Sequence, residues 1–185
     1  ITISDEGEYH FSHEFPEKYK RRISVSSCQM ITAGQEPFNE HHIRAEQSIF
    51  QDYSKKWLIA MGLDVPVFGP EKAGDIIYNA SRNYDFLLYE FFQTDLYGHR
   101  KGFDDQIQLI GDLDRLVGRL LSNLDPASDT LLITSDHGNI EDSEHRGHTL
   151  NPVPLVTWGR FSQELRQNIH CLTDVTPAVV SLFHG

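Results

Sequence analysis

Cysteine is scarce in this 185-residue chain, with Cys28 and Cys171 the two present. They stand far apart and match no Cys-x-x-Cys spacing, which excludes a thiolate metal cluster. Two buried free thiols are the expectation, with a single disulfide the lesser alternative. Positive charge is short as well: 16 Lys and Arg face 27 Asp and Glu, for a formal net charge of −11. A nucleic-acid partner would call for basic patches, so that class is set aside. No apolar run approaches about 18 residues, so no membrane partner or span is expected. No signal peptide is visible, which favours a cytoplasmic setting. The chain begins at Ile1 rather than Met, and an upstream segment is expected to be missing. Internal repeats and low-complexity stretches are lacking too. What is left, 39% hydrophobic and 23% charged, has the balance of a globular domain with a sizeable core.

Strand-like and helix-like patterns alternate along that chain. Ile23 to Met30 has the β-branched character of a strand. Ile43 to Met61 follows a helical face, with Gly62 placed to close it. Glu71 to Arg82 repeats apolar residues at helical spacing. Tyr84 to Phe92, YDFLLYEFF, is a near-continuous apolar run that suits an interior strand covered on both faces. Asp104 to Leu124 is the clearest helix, with Pro126 just past its end. Leu131 to Thr134 and Val153 to Trp158 read as strands, and Thr173 to Phe183 as a last helix capped by Thr173 or Asp174. The alternation predicts an α/β fold: a largely parallel sheet with helices on both faces, in one domain over 1–185. Residues 1–42 define the fold least, and 74–185 carry its motifs.

Two of those strands end in a carboxylate and an imidazole. Tyr84–Phe92 leads to Asp95 and His99, and Leu131–Thr134 leads to Asp136 and His137. His148 follows in a long loop. Open α/β sheets bind ligands at the carboxyl ends of their strands, so two neighbouring ends would meet in one crevice. Two Asp and three His exceed the three protein ligands of a typical catalytic zinc site. They fit a two-metal site that clamps a phosphoryl group, and mixed carboxylate and imidazole donors suit Mn or Zn. Alone, Asp95 reads as a helix cap and His99 as a surface histidine; together the five residues outweigh those readings. Glu141, Asp142, Glu144 and His145 are expected to be solvated, with one of them hydrogen-bonded to a ligand histidine.

Asp95-Leu96-Tyr97-Gly98-His99 resembles the D-x-x-G-H motif of the alkaline phosphatase-like metalloenzyme superfamily. Thr134-Ser135-Asp136-His137-Gly138-Asn139 with Glu141, then His148-Thr149 and Asn151 to Pro154, are similar to the cofactor-independent phosphoglycerate mutase branch. Leu172 to Pro177 is similar to the segment opening that family's last helix. The resemblance implies two divalent metal ions, one held by Asp95, His99 and His148 and the other by Asp136 and His137. It implies metal-dependent phosphoryl transfer or hydrolysis of a small phosphate ester, or of a sulfate ester. The family completes its second site with an Asp from the first strand and a Ser or Thr nucleophile. Neither is found here, which makes this chain the expected C-terminal part of a larger domain. A domain that keeps the fold and one metal without turnover is the alternative, and a single-zinc hydrolase built on Asp95, His99 and His148 is a third reading. Arg44-Ala45-Glu46-Gln47 is faintly similar to the mutases' A-E-T segment, and Ile49 then stands where they place a phosphate-gripping Lys.

Overall fold

The computed structural model describes residues 32 and 34 and residues 38–60, 62–145 and 147–184. The strand expected at 23–30 lies outside them. The described chain sorts into two compact units. One runs up to Gln93 and includes Gln108–Ser122; the other comprises Thr94–Ile107 and residues from Asn123 onward.

In the first unit, α1 (Glu40–Arg44) and α2 (Lys56–Ala60) are short, and α3 spans Pro70–Ser81. Pro70 sits in the first turn of α3, where its missing N–H costs nothing. The central part of α5 (Phe103–Asn123) packs here too. Ile43, Leu58, Ala73, Ile76, Ile77, Leu116 and Leu120 are buried. Arg119 pairs with Asp75, and Arg115 with Glu71, along the outer edge of α3 and α5. Ile43–Met61 is not one helix. The chain leaves α1 through Glu46 at φ 57° and enters α2 through Lys55, also at φ 57°. Between them Asp52 Oδ1 accepts bonds from the Ser54 backbone N–H and hydroxyl, a local alternative to helical pairing. Residues 84–91 carry no strand assignment. Tyr84, Phe86 and Leu88 point out and are about half exposed, while Leu87, Tyr89 and Phe91 are more covered.

The second unit holds the described sheet. β1 (Thr130–Thr134) pairs antiparallel with β2 (Leu155–Gly159), in the register Thr130↔Gly159 through Thr134↔Leu155. The described strands therefore give α/β content without the parallel pairing that alternation suggested. A parallel pair needs a crossover, usually a helix. The described residues of the connection from β1 to β2 form no helix, and the connection folds back along itself, bridging Gly138 to Thr149. α6 (Ser162–Asn168), which no pattern announced, and α7 (Leu172–Ser181) complete the unit. Leu165, Ile169 and Ala178 form its core, with Leu132, Leu155, Val175, Val179 and Leu182 packed around them. Asp174 reaches back from the first turn of α7 to accept the N–H groups of His170 and Cys171. Those bonds hold its carboxyl below the usual range. Cys171 is an exposed free thiol, which corrects the expectation of burial: it stands at the solvent-facing entry to α7, not on its core side. Cys28 lies outside the described residues. No helix among the described residues is long and apolar enough to cross a membrane.

Candidate metal centre

Asp95 and His99 belong to a helix rather than to a strand-end loop. α4 spans Gln93–Arg100, so residues four apart share a face. His99 Nε2 lies 3.2 Å from Asp95 Oδ1. The C-terminal end of α4 is fastened by the buried Gln106, whose amide donates to the carbonyls of Tyr97 and Lys101. The Lys101 carbonyl just past the helix thereby gains a partner, and the Tyr97 carbonyl a second one beside the Lys101 N–H.

His137 and His148 come from the fold-back loop between β1 and β2. The Ser135 hydroxyl donates to the His137 carbonyl at 2.8 Å, and the Thr149 N–H donates to the Gly138 carbonyl at 2.8 Å. This brings together two imidazoles that are eleven positions apart in sequence. Their rings stack with centroids 3.6 Å apart and planes 17° apart. His137 Nδ1 lies 3.4 Å from the Gly138 carbonyl, so Nε2 is the ring nitrogen that faces Asp95 and Asp136.

The nitrogens converge on Asp95. His148 Nε2 is 3.2 Å and His137 Nε2 3.9 Å from Asp95 Oδ1. His148 Nε2 is 3.3 Å from His99 Nε2. Asp95, His137 and His148 each offer one donor atom, and these all lie within 4.8 Å of one another. Asp95 as a residue is only half-buried, yet Oδ1 itself is shielded from solvent and accepts no hydrogen bond. The imidazoles crowd it without being aligned to donate to it. A buried carboxylate oxygen in that condition is costly unless something cationic satisfies it. One carboxylate and two imidazoles, with His99 beside Asp95 and His148 but outside that mutually close group, form a mixed oxygen and nitrogen donor set of the kind that suits a divalent cation. The residues fit a divalent cation.

Asp136 is the member the structure brings least into the cluster. Its side chain is 84% exposed, with Oδ2 3.5 Å from His137 Nε2. His137 thus stands between Asp136 and Asp95 rather than with Asp136 alone.

Gly98, inside the D-x-x-G-H segment, explains how α4 and the loop meet. A Cβ there would overlap the side-chain amide of Asn139. Asn139 is 5% exposed and packs directly on the helix, with its Nδ2 donating to the Gly147 carbonyl at 3.3 Å. Gly138 serves the same purpose. Its φ is not positive, but a Cβ would run into Thr149 and Glu141. Sequence reasoning placed Asn139 in the motif without a task, and expected Glu141 to be solvated or bonded to a ligand histidine. Glu141 bonds loop donors rather than a ligand histidine. Asp142 is turned away, its carboxylate accepting the N–H groups of Glu144 and His145.

Residues 70–184 match the family model of the Metalloenzyme superfamily. This chain belongs to that superfamily. It is 31% identical over 126 residues to the 2,3-bisphosphoglycerate-independent phosphoglycerate mutase of Ectopseudomonas mendocina, covering 63% of this chain and 24% of that protein. It is 32% identical over 108 residues to the enzyme of the same name from Pseudomonas paraeruginosa, covering 55% and 21%. The alignment to the Pseudomonas fluorescens enzyme is 30% identical over 126 residues, covering 63% and 25%. The chain thus spans about a quarter of the length of these relatives. No solved structure matches. The superfamily assignment and the mutase likeness agree with the motifs read from the sequence.

Proposed function

We propose that this chain is the cation-holding part of a metal-dependent phosphoryl-transfer enzyme or hydrolase acting on a small phosphate ester. The observation that carries the reading is the shielded, unsatisfied Oδ1 of Asp95 with imidazole nitrogens of His99, His148 and His137 around it. Likeness to phosphoglycerate mutases supports phosphate as the group acted on. Asp95, His99 and His148 would hold one cation, with His137 beside them, and His137 with the largely exposed Asp136 would begin the coordination of a second. When bound, such cations act as Lewis acids on a phosphoryl oxygen and lower the pKa of an attacking hydroxyl.

The residues of this chain do the positioning. α4 presents Asp95 and His99 in fixed relative register, and the loop delivers His137 and His148 from the opposite side. The carboxylate supplies the negative charge that makes the nitrogen set selective for a cation. The hydroxyl that would take up the phosphoryl group is assigned to polypeptide beyond this chain. Ile49, which the faint A-E-T likeness puts at the position of the mutases' phosphate-gripping Lys, is buried and apolar.

The test uses the longest natural form of the protein. Metal content is measured, and hydrolysis of a generic phosphate monoester is compared with that of a diester and a sulfate ester, with Mn and with Zn. Asp95→Ala is expected to lose cation binding and hydrolysis together. Asp136→Ala is expected to lose one cation of two. An Asp95→Ala protein with full metal content and full hydrolysis would sink the reading. A stoichiometry near one in the unaltered protein would reduce it to a single-cation site.

A further inference from the structure

We propose that Glu141 is the positioning residue that fixes His148 in the cation site. The inference rests on the reading of Asp95, His99 and His148 as ligands, and gives that site its means of staying assembled.

His148 is far along the chain from the other ligands, in a loop with no helix or strand of its own. A ligand on such a loop reaches its position only if the loop is tied down. The ties converge on one carboxylate. Glu141 Oε2 accepts the Asn139 N–H at 2.5 Å. Oε1 accepts the hydroxyl of Thr149, the residue after His148, in a short bond, and the Asn151 amide at 3.0 Å. Two further bonds run alongside, from the Thr149 N–H to the Gly138 carbonyl and from Asn139 Nδ2 to the Gly147 carbonyl. Glu141 therefore clamps 149–151 against 138–139, and His148 lies within that clamp. Gly138 leaves the space for it, since a Cβ there would meet both Glu141 and Thr149.

The chemistry requires a carboxylate. Three donors of different kinds point at one side chain: a backbone N–H, a hydroxyl and an amide. An ionised carboxylate only accepts and can take all three, whereas a Gln of equal size turns an NH₂ toward at least one donor. Those donors also hold the carboxyl at about 2, the Thr149 hydroxyl contributing most, so it is charged across the working pH range. Glu141 is not itself within the ligand cluster. It acts on the cation through the placement of His148, as groups behind metal ligands commonly do.

The experiment titrates Mn and Zn, each alone, into the metal-depleted full-length protein and three variants: Glu141→Gln, Thr149→Val and His148→Ala. The thermal midpoint of each metal-free protein is recorded separately. Glu141→Gln is expected to weaken cation affinity about 10- to 100-fold, and Thr149→Val to weaken it in the same direction by less. A residue with only a bland structural role would lower the metal-free midpoint and leave the affinity of the folded protein unchanged. If His148→Ala weakens binding while both Glu141→Gln and Thr149→Val bind as the parent does, the positioning inference is overturned and the ligand assignment survives. If His148→Ala itself binds normally, the ligand assignment fails and takes the inference with it. Should Glu141→Gln not fold, Thr149→Val decides alone.

Discussion

Lys55 is 0% exposed, an unusual setting for an amine. Its Nζ donates to the Pro66 carbonyl and lies over the Phe68 ring, 2.8 Å from the centroid. A carbonyl and an aromatic face favour a cation, but they do not replace full hydration. Burial pushes the amine down to about 7, with Glu46 and Asp52 pulling back toward the ordinary value. The consequence for stability has a definite sign. Below pH 7 folded and unfolded chains both hold the proton, and the burial penalty is present in full. Between pH 7 and about 10.5 the unfolded chain still binds a proton that the folded chain has released, so stability rises with pH. The slope is at most about 1.4 kcal/mol per pH unit. Lys55→Met removes it. Chemical denaturation of both proteins from pH 6 to about pH 10 is expected to show the parent gaining on Lys55→Met throughout that upper window. A difference that stays flat with pH would show that the amine remains protonated when folded.

At the level of elements, the stops were harder to read than the starts. α1 ends in a Schellman arrangement: the Glu46 N–H donates to the Ile43 carbonyl and the Gln47 N–H to the His42 carbonyl. α2 ends the same way, with Gly62 donating to Ile59 and Leu63 to Leu58. The second stop is legible because Gly62 occupies the left-handed position at φ 94°. The first is hidden because Glu46, a good helix former, occupies its counterpart at φ 57°. The apolar spacing of Ile43, Phe50 and Trp57 then carried the expected helix straight through. Glu46→Gly should relieve the left-handed conformation and stabilise the protein by about 0.5–1 kcal/mol, seen as a higher urea midpoint with an unchanged slope. The pair it gives up, to Lys72, is exposed on both sides and is worth little. A lower midpoint would mean that this pair outweighs the backbone strain. The site shows the same mixture. Its candidate residues were read from Asp-x-x-Gly-His and Asp-His-Gly; the structure brings Asp95, His137 and His148 within 4.8 Å of one another and leaves Asp136 largely exposed. The helix beneath Asp95 and His99 was missed, although a spacing of four was the available signal. The antiparallel return of β2 was missed because it depends on how the loop closes through Gly138 and Thr149, a contact that no periodicity encodes.

At the scale of this chain the excess of acid bears on what the proposed site would bind. A net charge of −11 repels a phosphate ester at long range, over the roughly 8–10 Å that salt leaves unscreened. The candidate site adds to this repulsion through Asp95 and Asp136. An anion has no reason to settle there unless cations first reverse the local sign. Phosphate binding and cation binding should therefore be linked, each raising the affinity for the other by the same factor. Inorganic phosphate titrated into the metal-depleted full-length protein is expected to give no heat at millimolar concentration. Binding is expected to appear once Mn or Zn is added, and to disappear again in Asp95→Ala. Titrating the cation with and without phosphate must return the same coupling factor. Phosphate that binds equally well to the metal-depleted protein would place the anion on basic side chains such as Arg100 and Lys101 instead, and would separate substrate capture from the Asp95 cluster altogether.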